Sequence, residues 1–296
     1  MMKKVVLAGG TGFIGKYFQK KYEALGYEVK IISRRSGFIS WDDRTGIIEA
    51  LDGAELLINL AGKSVNCRYN TKNKNEIMMS RILTTRVLGE CIAECVEPPE
   101  VWMNSSTATI YRHAEDRPMT EAFGEIGEGF SVNVATNWED TFFSMETPKT
   151  RKVALRTAIV LGEDGGVMEP YRNLVKFGLG GIQGSGRQMF SWIHIEDLYQ
   201  ITRFLHERTE LEGVFNCSAP EPVTNKELMQ LMRIYGGRSF GLPAPKWMLE
   251  IGSVAIRTET ELVLKSRWVI PERLQQAGFT FAYPDLESTL EDLLAK

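Results

Sequence analysis

Seven residues do most to limit what this chain can fold into. Gly9-Gly10-Thr11-Gly12-Phe13-Ile14-Gly15 directly follows a short apolar run, Lys4–Ala8, and opens a stretch with helical spacing, Gly12–Leu25. Glycines at this spacing are weak evidence alone, but between a strand and a helix they have a mechanism. Gly9 permits the tight turn, Gly12 lets backbone approach a pyrophosphate, and Gly15 lets the helix pack closely on the strand. Amides at the start of the helix then face the phosphates. The expected contacts to a dinucleotide are Gly9, Thr11, Gly12, Phe13, Ile14 and Gly15. The alternative is an ordinary glycine-bearing turn.

The pattern beyond the loop supports the same architecture. Tyr27–Ser33, Glu55–Leu60, Val101–Asn104 and Lys152–Thr157 read as buried strands, each short and bounded by turn residues. Between them, Asn75–Cys95 and Phe130–Met145 carry apolar residues at helical spacing. Strand-helix-strand repetition implies right-handed crossovers and a doubly wound α/β fold with a parallel sheet. After about residue 160 the texture changes: glycines cluster in Gly162–Gly166 and Gly178–Gly186, and elements shorten. Glu196–Glu207, Thr224–Ile234, Thr258–Lys265, Pro271–Ala277 and Asp285–Leu294 read as helices, with Val214–Cys217 a strand. The expected division is a dinucleotide-binding domain over 1–162 and a smaller substrate lobe over 163–296, including a distinct segment 243–294. Some of the later segments are expected to return to the sheet.

Composition excludes several classes. Thirty-five basic against thirty-eight acidic residues give a net charge of −3, with no electrostatic case for nucleic acid or an anionic membrane as partner. Three histidines and four cysteines, without Cys-x-x-Cys or His-Glu-x-x-His spacing, supply no metal site. Met1–Ala8 mimics a signal peptide, but its apolar run is short and stops at Gly9-Gly10. No apolar run is long enough to span a membrane. A cytoplasmic protein handling a small-molecule substrate is the expectation.

The end of the second strand indicates which dinucleotide binds. An NAD site usually places Asp or Glu there to grip the ribose 2′-hydroxyl. This chain has Ser33-Arg34-Arg35, with no carboxylate to repel a 2′-phosphate and guanidiniums able to clamp one. NADP(H) is therefore expected over NAD(H), the competing reading being two solvated arginines. Leu60-Ala61-Gly62 offers small residues against which a cofactor ribose can lie. Ser105-Ser106-Thr107 places hydroxyls at the carboxyl end of a central strand, where such sheets bind ligands, and Ser105 and Ser106 are expected to contact the cofactor.

Together these segments resemble the extended short-chain dehydrogenase/reductase superfamily. Gly9–Gly15, Asn59–Gly62, Ser105–Tyr111, Leu155–Gly162 and Ser191–Leu198 occur in the order that superfamily uses. Ser105–Tyr111 is similar to the corresponding strand end of UDP-galactose epimerases, which implies that Thr107 helps polarise a substrate oxygen. Gly180–His194 and the tail from Pro243 to Leu294 resemble an atypical NAD-dependent epimerase/dehydratase-like subgroup, the epimerase-family proteins with a C-terminal domain of unknown function.

The chain departs from the superfamily at the catalytic pair. The resemblance implies Tyr-x-x-x-Lys on the helix around Phe130–Met145, but the residues there are Ser131 and Ala135. The one Tyr-x-x-x-Lys, Tyr17 to Lys21, lies in the first helix and reads as coincidence. An aliphatic hydroxyl lacks tyrosine's pKa near 10, so Ser131 is a poor substitute. Tyr111 is a candidate acid beside Thr107, or a packed aromatic. Arg187 is a candidate substrate-anion contact, or a solvated loop arginine. His194 reads as a structural histidine leading into a helix. Arg81, Trp138 and Glu139 either line a pocket or serve as core and surface residues. Two functions stay open: an NADP-dependent oxidoreductase or epimerase using an unusual acid–base group, and a cofactor-binding sensor or scaffold without turnover.

Overall fold

The computed structural model describes residues 3–249, 259 and 261–294. Its centre is a six-stranded parallel sheet built from β1 (Lys4–Ala8), β2 (Glu28–Ile32), β3 (Leu56–Asn59), β4 (Val101–Thr107), β5 (Arg151–Thr157) and β9 (Gly213–Cys217). The order is β2-β1-β3-β4-β5-β9. The chain leaves β1 for β2 on one side, then crosses to β3 on the other. This makes the carboxyl ends of β1 and β3 the switch point at which such sheets open a ligand crevice.

Successive strand residues point to opposite faces, so each strand feeds two cores. Val5, Leu7, Ile58, Met103 and Leu155 pack with Phe18 and Tyr22 of α1 (Phe13–Ala24) and Tyr199 and Ile201 of α6 (Ile195–Glu207). Val6, Ala8, Leu57, Trp102 and Ala154 pack on the other side. Their partners are Ile47 and Leu51 of α2 (Arg44–Leu51), Leu88 and Ile92 of α3 (Thr71–Glu94), and Phe142 of α4 (Phe130–Ser144). Helix α2 has no counterpart among the helices expected from the sequence. It is short and contains Gly46, and it forms because Asp43 caps it, accepting from Gly46 N at 2.9 Å, while Ile47, Ala50 and Leu51 are buried. Helix α3 begins at Thr71 rather than Asn75, because Asn70 accepts from Asn73 N at 2.9 Å and starts it a turn earlier.

The second lobe has its own core of Met168, Val175, Phe190, Trp192, Met229, Met232 and Leu290. It contains α5 (Met168–Lys176), α7 (Asn225–Tyr235) and α10 (Leu286–Leu294). It also contains the ribbons β6 (Ile159–Leu161) with β8 (Trp192–His194) and β7 (Met189–Phe190) with β10 (Val223–Thr224). Two short helices, α8 (Glu261–Leu264) and α9 (Glu272–Gln276), lie between α7 and α10. Of the expected helix Thr258–Lys265, residues 258 and 260 lie outside the described residues. The lobes are not separated by a single cut at 162. Residues of α6 and β9 return to the large sheet, where β9 pairs with β5 from Val153 to Thr157.

Candidate functional site

The glycine loop sits at the switch point, and three of its four glycines meet different demands. Gly9 has φ +78°, and a Cβ there would come within 2.7 Å of Ala61 N and Cα, so β1's exit and the Leu60–Gly62 loop touch backbone to backbone. A Cβ at Gly15 would lie 2.4 Å from Gly10 O, so the first turn of α1 packs against the backbone of the loop itself, where the expectation was contact with the strand. At Gly12, by contrast, a Cβ would meet nothing nearer than Gly9 O at 3.7 Å. Nothing within the chain asks for glycine at that position, which leaves a cradle shaped for something laid across the loop. Gly12 also starts α1 without a side-chain cap, so its first-turn amides keep their capacity for an anion.

Phe13 explains a second group of glycines. Cβ atoms at Gly162 and Gly165 would each lie 2.7 Å from its ring, and one at Gly166 would lie 3.2 Å away. The cluster that marks the change of texture in the sequence is where the second lobe closes on the loop's aromatic residue.

At the end of β2, Ser33 is buried and its hydroxyl lies 3.0 Å from that of Thr11. Ser33 Oγ also accepts from Arg35 N at 3.2 Å. The Arg34 and Arg35 side chains are exposed and, among the described residues, make no ion pair or side-chain hydrogen bond. A phosphate at this corner would meet two guanidiniums that form no ion pair, although the Glu76 carboxylate feels the Arg34 charge. The residues present fit a dinucleotide with a 2′-phosphate.

The loop after β3 is set by Asn59. Its Oδ1 accepts from Ala61 N at 3.0 Å, and its Nδ2 donates to Asn104 Oδ1 at 2.7 Å and to Thr85 Oγ1 at 3.3 Å. Trp138 Nε1 donates to the same threonine at 3.0 Å. This buried network fixes Leu60, Ala61 and Gly62 relative to β4, α3 and α4. Arg81 reaches over Gly62, where a Cβ would meet its Cζ at 3.0 Å, and stacks 5.0 Å from the Trp138 ring centre. It donates to the carbonyls of Lys63 and Ile77, and burial pushes its pKa down to about 10.

Strand β4 runs three residues past its expected end, so Ser105, Ser106 and Thr107 pair in register with Leu155, Arg156 and Thr157. The pleat then separates them. Ser105 and Thr107 point to one face, and Thr107 Oγ1 accepts from Thr109 N at 3.1 Å, capping a single 3-10 turn over Ala108–Ile110. Ser106 points to the other face, where its hydroxyl donates to buried Glu139. That carboxylate takes two hydrogen bonds from Arg156, at 2.9 and 2.7 Å, and Arg156 also donates to the Tyr111 hydroxyl at 2.9 Å. Tyr111 donates onward to Asn216 at 2.9 Å and is 1% exposed. The assignments of Ser106 to the cofactor and Tyr111 to proton transfer are therefore corrected: both hydroxyls belong to a closed internal network. Glu139 is part of that network, neither a pocket wall nor a surface charge.

Arg187 lies on its loop with 80% of its side chain exposed, 3.6 Å from Glu115. The cations that do reach the 3-10 turn come from the C-terminal segment. Lys265 donates to Thr109 O at 2.7 Å and Arg267 donates to Thr109 Oγ1 at 3.0 Å. Burial and the neighbouring Arg267 charge push the Lys265 pKa down to about 8. Both line a narrow cavity with Tyr171, Gln188, Phe190 and Asn225. No local pattern marks them, because their partners lie more than 150 residues away in sequence. His194 caps α6, accepting from Glu196 N at 3.1 Å, and stacks on Tyr283. Tyr17 and Lys21 both bind Glu196 of α6, which makes their spacing a clamp between helices. A groove of about 1110 Å³ is lined by Pro98, Glu100, Met145 and Arg151 at the amino ends of β4 and β5, opposite the switch point.

A doubly wound sheet with this loop, switch point and closing lobe defines a nucleotide-binding protein of the extended short-chain dehydrogenase type. Residues 5–218 match the family model described as the NAD dependent epimerase/dehydratase family, and residues 244–293 match a domain of unknown function, DUF1731. The chain belongs to the NAD-dependent epimerase/dehydratase family. It is 32% identical over 301 residues to human epimerase family protein SDR39U1, covering 99% of this chain and 100% of that protein. It is also 32% identical to epimerase family protein YfhF of Bacillus subtilis (strain 168), covering 98% of each. The crystal structure of human epimerase family protein SDR39U1 (isoform2) with NADPH superposes with a TM-score of 0.90 at 30% identity, covering 99% of both chains. Among the described residues no helix is long and apolar enough to cross a membrane.

Proposed function

We propose that this protein binds NADP(H) at the β1–β3 switch point and uses it for oxidation and reduction at a carbon of a small polar substrate, as an oxidoreductase or a sugar-nucleotide epimerase. The observation that carries the reading is the corner after β2. Two exposed, unpaired arginines follow a serine where a carboxylate would select against a 2′-phosphate. The NADPH-bound relative, alike over the whole chain, supports the same choice. When bound, a nicotinamide supplies or removes a hydride. Thr11 and Ser33 would hold the adenosine ribose side, Gly12 and the α1 amides the pyrophosphate, and Ala61 with Gly62 the second ribose. Ser105 and Thr107 face away from the Glu139 network, and among the described residues neither hydroxyl donates its hydrogen. That leaves Thr107 able to donate to a substrate oxygen.

The enclosure of Tyr111 and the serine at position 131 favour a second reading, in which the protein binds NADP(H) without turnover. Fluorescence titration with NADPH and NADH tests the shared premise. Wild-type protein should prefer NADPH, and Arg34→Ala with Arg35→Ala should erase the preference. Equal affinity of the wild type for both forms removes the arginine argument.

A further inference from the structure

We propose that the narrow cavity between the second lobe and the turn after Thr107 binds one halide ion, such as chloride, between Lys265, Arg267 and the Tyr171 hydroxyl. The site stands independently of the NADP(H) reading.

Size sets the class of ligand. The cavity has a volume of about 10 Å³, room for one water-sized atom or molecule and too little for a carboxylate or phosphate group. Its polar lining comes from separate parts of the chain: Tyr171 of α5, Gln188, Asn225 of α7, and Lys265 with Arg267. Ile159, Phe190 and Val263 close it with apolar surface.

The lining is rich in donors. Lys265 carries three N–H bonds and gives one, to Thr109 O at 2.7 Å. Among the described residues no carboxylate pairs with its ammonium. Arg267, 7% exposed, donates from Nε to Thr109 Oγ1 and sets a second positive charge beside the first. The Tyr171 hydroxyl has no hydrogen-bond partner among the described residues, and burial pushes its pKa up to about 12, so it keeps its proton. Gln188 Nε2 donates to Gln183 O at 2.8 Å and Asn225 Nδ2 to Gln183 Oε1 at 3.0 Å, which leaves each amide a second hydrogen.

Two cations side by side in a buried place repel each other, and each has lost hydration. Glu261 compensates them only in part. Its carboxylate bears on both, but it accepts from Ser131 at 3.0 Å and is not among the groups lining the cavity. A water in the cavity would leave the charges uncompensated. A monoatomic anion accepts from several directions at once and cancels one charge. Bound there, it would tie residues 265–267 to α5 and α7, behind the turn in which Thr109 N donates to Thr107 Oγ1.

The test uses the full chain, with chloride replacing gluconate at constant ionic strength. The melting temperature of wild type should rise by about 2 °C or more for each tenfold of chloride above its Kd. Tyr171→Phe keeps the ring and removes the donor, and should need roughly tenfold more chloride for the same rise. Lys265→Met should melt cooperatively in gluconate and show no rise. Crystals grown in bromide should carry an anomalous peak between Lys265 Nζ and Tyr171 Oη. A melting temperature indifferent to chloride, equal responses in wild type and Tyr171→Phe, or a cavity holding only water in bromide each overturn the proposal. Acetate is too large for the cavity and should leave the melting temperature flat. If acetate acts as chloride does and displaces bromide, the cavity takes an oxyanion and the halide assignment falls.

Discussion

Gly12 and Gly15 are three residues apart in one loop, yet alanine should harm them in opposite ways. At Gly12 the backbone, with φ −80° and ψ −178°, is open to any residue, and an added Cβ stays 3.7 Å from its nearest neighbour. Exchanging glycine for alanine at a helix N-cap costs less than about 1 kcal/mol, so the melting temperature should fall by less than about 4 °C. The new methyl does, however, enter the cradle proposed for the pyrophosphate. Overpacking of that kind costs about 1–3 kcal/mol, which is roughly 5- to 150-fold in the Kd for NADPH. At Gly15 the added Cβ lies 2.4–2.5 Å from Gly10 O, C and Cα, all backbone, so no side-chain rotation relieves the clash. Helix α1 must move away from the Gly10 turn, at a cost of about 1–3 kcal/mol or more, and the melting temperature should drop by roughly 3–12 °C. Thermal unfolding and NADPH fluorescence titration on the same samples separate the two cases. A Gly12→Ala protein that melts like wild type and binds NADPH with wild-type affinity refutes the cradle. A Gly15→Ala protein with unchanged melting refutes the packing argument.

Two further predictions concern the network behind the site and the cap of α6. Glu139→Ala leaves the Arg156 guanidinium buried without its carboxylate and should cost about 3–5 kcal/mol in urea unfolding. The double substitution Glu139→Leu with Arg156→Met should recover much of that loss, and a double variant no more stable than the single would show that the charges are not the issue. Burial holds the His194 pKa below its ordinary 6.5, partly opposed by Asp292, so the unfolded chain binds this proton more readily than the folded one. Its contribution to stability is full above about pH 6.5 and is lost as pH falls through the lowered folded value. His194→Asn keeps a capping side chain without the titration, so its stability should decline less than wild type between about pH 7.5 and 5. Parallel curves would refute the assignment. His206, also lowered by burial, supplies a residual slope in both proteins.

The sheet and the phosphate loop were readable because their causes are local. Apolar runs mark strands, and the spacing of Gly9, Gly12 and Gly15 marks the turn between strand and helix. What failed depended on direction or distance. Ser105, Ser106 and Thr107 look alike as letters, but one extra length of β4 and the alternation of the pleat send Ser106 to Glu139 and leave the other two on the opposite face. Tyr111 sits beside a promising hydroxyl cluster, but Asn216, from a strand a hundred residues later, claims its phenol. Lys265 and Arg267 carry no motif, and only tertiary folding brings them to Thr109. The missing Tyr-x-x-x-Lys was legible; the residues grouped around its place were not.

The return of β9 has a consequence for synthesis. When Thr157 leaves the ribosome, β5 is still an open edge, and the strand that covers it arrives only at Gly213. The backbone groups of β5 that will face β9 wait unpaired while the whole first excursion of the second lobe is made. Arg151, whose guanidinium will bind the carbonyls of Leu205 and Leu211, waits with them. An exposed edge of this kind invites pairing with other chains. A fragment ending at residue 162 would therefore keep β5 as an open sheet edge.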